Sequence, residues 1–292
     1  MTCPIEAFPL AVADGAVLAA YRSSPERPAK GLVQIAHGMA EHFLRYARLT
    51  EALAGAGYAV YGLDHRGHGA SAEAHGLGDF GPRGFAGVVA DMAELSEFAK
   101  RETPGRPLML LGHSMGSFAA QQYLLGHGDL LAGLVLSGTA SLAPLMQALA
   151  AAGAAPGLEA FNAAFEPART PFDWLSRDEA EVDAYVADPM CGFALTEASM
   201  TSMFALCAGA ASDPRLAGVR RDLPILVLSG EVDPVVGPNQ TYATALIDAW
   251  RDAGLSHIDH RVYPGARHEL FNETCRDQVA ADLIAWLDAA MT

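Results

Sequence analysis

The stretch that decides the fold runs from residue 108 to residue 125 and reads LMLLGHSMGSFAAQQYLL. Its first part is a short apolar run typical of a buried strand, and its second part indicates a small amphipathic helix. Between them, Gly112 to Gly116 match the pattern G-x-S-x-G, which places a serine on a sharp turn from a strand into a helix. Glycine is needed two positions to either side of Ser114 because side chains there would collide with neighbouring backbone. The stretch therefore predicts a strand, a tight elbow and a helix.

Ser114 itself allows two interpretations. Serine is favoured at the N-cap of a helix and needs no chemistry there. On an elbow, however, the hydroxyl is lifted out of the sheet, and the helix N-terminus directs N–H groups and positive charge at any anion that forms beside it. A nucleophilic serine requires partners elsewhere in the chain, whereas an N-cap requires none.

Strand and helix patterns alternate along most of the chain around this stretch. An Asp14-Gly15 turn between two apolar runs predicts an N-terminal hairpin. Further strands are predicted at GLVQIA (31–36), YAVYGL (58–63), LAGLVLSG (131–138), LPILVLSG (223–230) and HIDHRVY (257–263). Helices are expected at about 44–56, at 85–102 and before the C-terminus. Such alternation predicts an α/β fold with a mostly parallel central sheet of about eight strands and helices on both faces.

One long segment breaks the alternation. From 139 to 217 the sequence has helical patterns and no convincing strand, with apolar residues at helical spacing over 142–149. Ser176 and Glu179 fit a capping box, which predicts that a helix begins there. We therefore expect a helical cap inserted into the core. The predicted domains are 1–138 for the first part of the core, 139–217 for the cap and 218–292 for the second part of the core.

The composition excludes several classes of protein. Of 292 residues, 51% are hydrophobic and 18% are charged, so the chain can bury a full core. Nineteen Lys and Arg against 34 Asp and Glu give a net charge of −15, which opposes nucleic acid or anionic lipid as the main partner. The four cysteines lie far apart and predict free thiols. Without an export signal or a stretch apolar enough to span a membrane, the expected location is the cytoplasm.

Two further residues are candidates to activate Ser114. A serine hydroxyl needs a base, usually histidine, and of the ten histidines only His268 follows the last predicted strand at the carboxyl edge of the sheet. His113 is expected to point away from the site because it directly precedes the serine. An acid must orient the imidazole, and Asp233 follows the penultimate strand, with Glu231 as a more exposed rival. Serine, aspartate and histidine in this order are typical of α/β-hydrolases.

The loop after the strand GLVQIA completes the predicted site. A tetrahedral intermediate is stabilised by two backbone N–H donors, and one is expected from Met115, directly after the serine. The second is expected from Met39 in HGMAEHFLRY (37–46). His37 and Gly38 are expected to shape this loop.

The motifs HGMAEHFLRY, DHRGHGAS and GHSMG, in that order and spacing, resemble those of bacterial lysophospholipases and monoacylglycerol lipases. This group of serine hydrolases has the α/β-hydrolase fold with a domain of the serine aminopeptidase S33 type. The resemblance covers nearly the whole chain and includes WLSRD and DPMCGF in the cap. Phe271 stands where the monoacylglycerol branch usually has a second histidine, so that segment is closer to the lysophospholipase type.

The resemblance implies hydrolysis of an ester of a single acyl chain beneath the helical cap. It places the polar end of the substrate near Glu41 and Arg45. An apolar tunnel for the acyl chain is also implied, and its expected lining residues are Met190, Phe193, Met203 and Phe204.

Other motifs in the chain favour structural interpretations. Residues 76–81 form a literal G-x-G-x-x-G, but they follow a loop instead of a strand, and Asp79 would repel a pyrophosphate. Asp64, His65 and His68 are interpreted as a glycine-rich loop that holds its own turn, and not as metal ligands. No metal and no cofactor are therefore expected.

Taken together, these features predict a serine carboxylic-ester hydrolase that works through an acyl-enzyme on lysophospholipid, monoacylglycerol or related esters. The expected partner is a small-molecule acyl ester, with no nucleic acid, no membrane span and at most transient membrane contact through the cap. An aminopeptidase or amidase with the same three residues is one alternative, and it requires cap carboxylates such as Glu159 or Asp173 to face inward and hold an amine. A catalytically silent protein that binds a small apolar ligand is the other.

Overall fold

The computed structural model describes residues 3–151 and 158–291 and contains one eight-stranded sheet. Its strands are β1 (Glu6–Ala11), β2 (Val17–Ser23), β3 (Gly31–Ala36), β4 (Tyr58–Leu63), β5 (Leu108–His113), β6 (Gly133–Ser137), β7 (Ile225–Gly230) and β8 (Ile258–Tyr263). They lie in the order β1-β2-β4-β3-β5-β6-β7-β8. The pairs β1–β2 and β2–β4 are antiparallel, and the other neighbours are parallel. The predicted fold class is confirmed.

Helices cover both faces of the sheet. The α-helices of the described ranges are α1 (Ala47–Gly55), α2 (Gly84–Glu102), α3 (Met115–His127), α4 (Leu142–Ala151), α5 (Glu179–Ala187), α6 (Glu197–Cys207), α7 (Thr241–Asp252) and α8 (Arg276–Ala290). Leu53 of α1 and Leu283 of α8 pack on one face, and Phe85 of α2 and Leu246 of α7 pack on the other. Because both faces are covered, β3, β5 and β7 are buried throughout, which explains their continuous apolar sequence. Within the described ranges, no helix has the length and hydropathy needed to cross a membrane.

Helix α3 differs from its predicted amphipathic character. Its first ten residues are all buried, because the helix lies between the sheet and helices α2 and α6. The polar residues that suggest an exposed face have partners inside the protein. Gln121 donates to the carbonyl oxygen of Ala140 at 3.1 Å, and Gln122 donates to that of Leu206 at 2.8 Å. The two glutamines of α3 therefore make hydrogen bonds inside the protein and do not form a solvent-exposed face.

The segment between β6 and β7 holds α4, α5, α6 and several short 3-10 helices, with no strand among its described residues. The capping box predicted at Ser176 is wrong. Asp178 is the N-cap of α5, whereas the Ser176 hydroxyl donates to the carbonyl oxygen of Asn272 and so anchors this segment to the core. Residues 152–157 of the predicted cap lie outside the described residues. The division into 1–138, 139–217 and 218–292 stays a prediction.

Candidate active site

Ser114 lies on a strained turn between β5 and α3. Its φ of 51° and ψ of −120° are unusual for a residue with a side chain. A Cβ on Gly112 would lie 2.5 Å from the carbonyl oxygen of Gly116, and a Cβ on Gly116 would lie still closer to that of Ala36. These contacts are with backbone, which cannot move aside. Both glycines of the motif are therefore required by the close approach of β3, β5 and α3.

The Ser114 side chain does not make the hydrogen bond that a typical N-cap serine makes. Ser114 occupies the N-cap position of α3, but its side chain makes no capping hydrogen bond. The backbone instead fixes the turn, since the Ser114 N–H donates to the carbonyl oxygen of Ser137 at 2.9 Å. The Ser114 hydroxyl has no hydrogen-bond partner among the described residues, and Ser114 lines a cavity.

His268 lies in the same cavity and is held by Asp233. The Nδ1 of His268 is 2.9 Å from Oδ2 of Asp233, while Oδ1 of Asp233 accepts from the N–H of Val235 at 2.9 Å. Among the described residues, the buried Nε2 of His268 has no hydrogen-bond partner. Glu231, the rival acid, is exposed and accepts from the N–H of Gly265 instead. Nε2 is thus the nitrogen of this ring that is available to take a proton, and it belongs to a residue that lines the same cavity as Ser114.

Burial and charge act in opposite directions on His268. Burial alone would lower the pKa of its imidazole, but the negative charge and the hydrogen bond of Asp233 outweigh burial and raise this pKa above its ordinary value. A raised pKa favours proton uptake by the ring. The pair is therefore suited to act as a base towards Ser114.

Two aromatic rings fix the plane of His268. The ring centroid of Trp174 lies 4.7 Å from that of His268, and the centroid of His113 lies 4.6 Å from it. The prediction that His113 points away from the site is wrong. Alternation along β5 directs His113 to the sheet face of α1 and α8, and the loop that carries His268 crosses that face. Burial lowers the pKa of His113 far below its ordinary value, so this ring is neutral and does not compete as a base.

The loop after β3 brings backbone N–H groups to Ser114. A Cβ on Gly38 would lie 3.2 Å from the Cβ of Ser114, and Gly38 and Met39 both line the cavity. The N–H groups of Met39 and Met115 have no acceptor among the described residues. His37 braces the loop, since its Nε2 accepts from the backbone N–H of residue 65 at 2.9 Å and its Nδ1 therefore donates to the Gly38 carbonyl oxygen at 2.8 Å. The arrangement suits two donors directed at one oxyanion.

A buried cluster of charges adjoins the cavity. Oε1 of Glu41 accepts from the N–H of Gly38 at 2.5 Å and from the hydroxyl of Tyr46 at 2.7 Å. Arg45 pairs with Glu41 at 3.5 Å and with Glu269 at 2.5 Å. Burial, followed by the nearby charge of Glu269, raises the pKa of Glu41. Because Oε2 of Glu41 and Nη1 of Arg45 are buried without hydrogen-bond partners among the described residues, the cluster can accept from and donate to a bound polar group.

The residues expected to hold the acyl chain do not line this cavity. Met203 is buried in the core, and the ring of Phe193 packs on that of His68 at 5.1 Å. Met190 and Phe204 are half-buried in the cap. Their assignment to an acyl pocket stays a prediction.

Apolar residues of the cap close the cavity instead. Leu158, Trp174 and Leu175 line it together with Ser114. The space is about 10 Å³, which is room for about one water molecule. Binding of an acyl chain therefore requires these side chains to move. Their place in the cavity was not predicted, although Trp174 and Leu175 belong to the WLSRD motif that carries the family resemblance.

Comparisons with known proteins agree with this fold and with ester hydrolysis. The sequence profile of the family described as serine aminopeptidase, S33, matches residues 27–275. The monoacylglycerol lipase of Mycolicibacterium smegmatis is 32% identical over 274 residues, or 90% of each chain. Human monoglyceride lipase is 29% identical over 266 residues, which cover 89% of this chain and 82% of that protein. A thermostable carboxyl esterase from Bacillus coagulans matches over 100% of both chains with a TM-score of 0.87 and 28% identity.

Proposed function

The chain belongs to the serine aminopeptidase S33 family and is a serine ester hydrolase, and from this premise we propose that it hydrolyses monoacylglycerols through an acyl-enzyme on Ser114. The observation that carries the proposal is the environment of His268. Its Nδ1 is bonded to Asp233, and its buried Nε2 is unpartnered among the described residues in the cavity that Ser114 lines. This is the arrangement that a serine nucleophile needs from its base.

In the proposed reaction, the Ser114 hydroxyl attacks the ester carbonyl while Nε2 of His268 takes its proton. Asp233 keeps the imidazole oriented and stabilises its cation. The N–H groups of Met39 and Met115 stabilise the oxyanion. His268 then gives the proton to the leaving glycerol oxygen, which leaves the acyl group on Ser114. Water attacks this acyl-enzyme with His268 as base, and the fatty acid and the free serine are released.

The cluster of Glu41, Arg45 and Glu269 supports glycerol as the leaving group. Two carboxylates face a single guanidinium, so a phosphate head group would meet more negative than positive charge there. Neutral hydroxyl groups, by contrast, are able to use both Oε2 of Glu41 and Nη1 of Arg45, since neither atom has a hydrogen-bond partner among the described residues and Oε2 has only the ion pair with Arg45 at 3.5 Å. The Mycolicibacterium smegmatis and human relatives are named for monoacylglycerol and monoglyceride, and the Bacillus coagulans esterase structure is a complex with glycerol.

A matched substrate panel tests both the mechanism and the head group. Purified protein and its Ser114→Ala variant are assayed on a monoacylglycerol, on lysophosphatidylcholine with the same acyl chain and on short p-nitrophenyl esters. We expect the monoacylglycerol to have the higher kcat/KM of the two lipids, and Ser114→Ala to lower kcat on the order of 10⁶-fold. Normal turnover by Ser114→Ala would reject the mechanism. Faster hydrolysis of lysophosphatidylcholine would reject the head group and leave the mechanism standing.

The cap carboxylates named for the amidase alternative do not line the cavity. Glu159 is exposed. Asp173 accepts from the N–H of Arg169 and from the hydroxyl of Thr170 within the cap, and neither acid lines the cavity. Turnover of amino-acid anilides without turnover of acyl esters would favour this alternative, while failure to turn over either class would favour a silent binding protein.

The proposed setting is the cytoplasm, with transient contact between the cap and a lipid surface. All four cysteines are unpaired, which is usual in a reducing compartment. Val186 in the cap is 51% exposed, which supports contact between the cap and lipid. Co-sedimentation with neutral lipid vesicles should fall when Val186 is changed to Ser, and unchanged binding would contradict the lipid contact.

A further inference from the structure

Three metal-ligating side chains meet outside the cavity of Ser114. Nε2 of His42 lies 2.9 Å from Oδ2 of Asp188. Ligand atoms of His42, Asp188 and Cys191 all lie within 4.8 Å of one another, with the histidine buried and the other two partly buried. We propose that these three residues form a binding site for a zinc ion.

The three donors suit zinc in type and charge. Zinc binds cysteine sulfur, histidine nitrogen and carboxylate oxygen, usually as a tetrahedron. At the usual bond lengths, the donor atoms of such a tetrahedron lie about 3.3–3.6 Å apart, so only a modest movement of Cys191 would complete the set. A neutral imidazole, a carboxylate and a thiolate together balance the double charge of the ion. Magnesium and calcium prefer oxygen ligands, so this mixed set disfavours both.

The surroundings give the ion access without opposing its charge. A cavity of about 240 Å³ is lined by Asp188 and Cys191, and it provides room for a water molecule at the fourth position. Two arginines also line it, and each is neutralised. Arg45 pairs with two buried carboxylates, and Arg48 pairs with Glu181.

The site would connect the cap to the core. His42 belongs to the loop that carries Gly38 and Met39, whereas Asp188 and Cys191 follow α5. The two parts already meet here, because the carbonyl oxygen of Ala40 accepts from the N–H of Gly192 at 3.0 Å and from the hydroxyl of Tyr185 at 2.9 Å. A bound ion would add one bond to the core loop and two to the cap segment, and so would link the two parts and raise the melting temperature.

The sequence predicts no metal, and the positions of the three residues explain why. His42 and Asp188 are 146 residues apart, so no short motif contains the site. None of the three lines the cavity of Ser114, so the zinc proposal stands or falls independently of the proposed reaction.

The test is calorimetric titration of zinc into the chelator-treated full-length protein. We expect one ion per chain in the wild type. Cys191→Ser should weaken binding at least tenfold, because even the loss of a residue that only supports a ligand costs about 10–100-fold in affinity. Cys275→Ser is the matched control, since it removes another partly buried free thiol, and it should leave zinc affinity unchanged.

Two further measurements identify the ligands directly. Cobalt in place of zinc should give a near-ultraviolet band from thiolate coordination in the wild type and in Cys275→Ser, but not in Cys191→Ser. Zinc should raise the Tm of the wild type and leave that of Cys191→Ser unchanged, with the metal-free Tm and circular dichroism showing that the variant is folded. Absence of saturable zinc binding, or equal affinity in Cys191→Ser, would overturn the proposal.

Discussion

Several groups hold in place the imidazole of His268, which lines the same cavity as Ser114. The carboxylate of Asp233 bonds to Nδ1 of His268, and Trp174 and His113 contact the ring. The other carboxylate oxygen is held by the N–H of Val235, so the acid itself has a fixed orientation. The proposed contribution of Asp233 is therefore positional and electrostatic, and it should appear in the pH dependence as well as in the rate.

Asp233→Asn should lower kcat by about 10⁴-fold, because an amide favours the wrong tautomer of the histidine. The pKa of His268 is raised by Asp233 in the wild type, so loss of the charge should lower it and move the acid limb of the kcat/KM profile to lower pH. Profiles on a p-nitrophenyl ester measure both effects. Glu231→Gln is the control, since this exposed acid does not touch the histidine, and equal losses in the two variants would contradict the assignment.

At the scale of elements, the turn at Ser114 depends on three backbone segments, those of β3, β5 and α3, that approach one another closely. Strand β5 and helix α3 meet at Ser114, and the end of β3 passes beside Gly116. The same helix contains Gly126, which is exposed, and a Cβ added there would meet no atom of a neighbouring element within 4 Å. One helix thus offers a glycine that the packing requires and a glycine that it does not.

Gly116→Ala should destabilise the protein by about 1–3 kcal/mol or more, because the new methyl group would overlap the carbonyl oxygen of Ala36. Gly126→Ala should raise the free energy of unfolding by about 0.5–1 kcal/mol through higher helix propensity. Urea unfolding of both variants measures these changes. Similar effects of the two substitutions would contradict the role given to the close approach.

Most of the sheet was predictable from sequence because parallel strands covered on both faces read as continuous apolar runs. The elbow was predictable because its steric demands leave glycines at fixed spacing. The contribution of Trp174 to the cavity was not, since long-range packing of the cap leaves no periodic signal. His113 was misjudged because the sequence does not show that the loop of His268 crosses the sheet face to which alternation along β5 directs His113. The roles of Ser114, Asp233 and His268 stay predictions, although the structure brings their side chains together.

At the scale of the whole molecule, several neutral histidines are buried near the carboxyl edge of the sheet. Burial lowers the pKa of His37 and of His68 to about 3, and it lowers those of His65 and His113 well below the ordinary value. In the unfolded chain these histidines titrate near about 6.5. Between the low pKa of each histidine in the folded protein and about pH 6.5, the unfolded state binds more protons than the folded state. The stability that these neutral histidines contribute is therefore present above about pH 6.5 and is lost as the pH falls.

The free energy of unfolding should therefore fall by at least about 2 kcal/mol from about pH 7 to pH 5. Three groups act in the opposite direction: burial raises the pKa of Asp91 to about 6 and also raises that of Glu41, and Asp233 raises that of His268. The four histidines outnumber them, so the net sign is a loss on acidification. Urea unfolding followed by tryptophan fluorescence at a series of pH values measures it, and constant or rising stability would contradict this view of the core.

The central claim is that Ser114 is a nucleophile activated by His268, and covalent labelling tests it most directly. The folded protein is treated with a fluorophosphonate probe, and the adduct is located by intact-mass and peptide mass spectrometry. We expect one adduct per chain, on Ser114, absent from Ser114→Ala and formed much more slowly by Asp233→Asn. No adduct on the folded wild type, or an adduct on another residue, would contradict the claim.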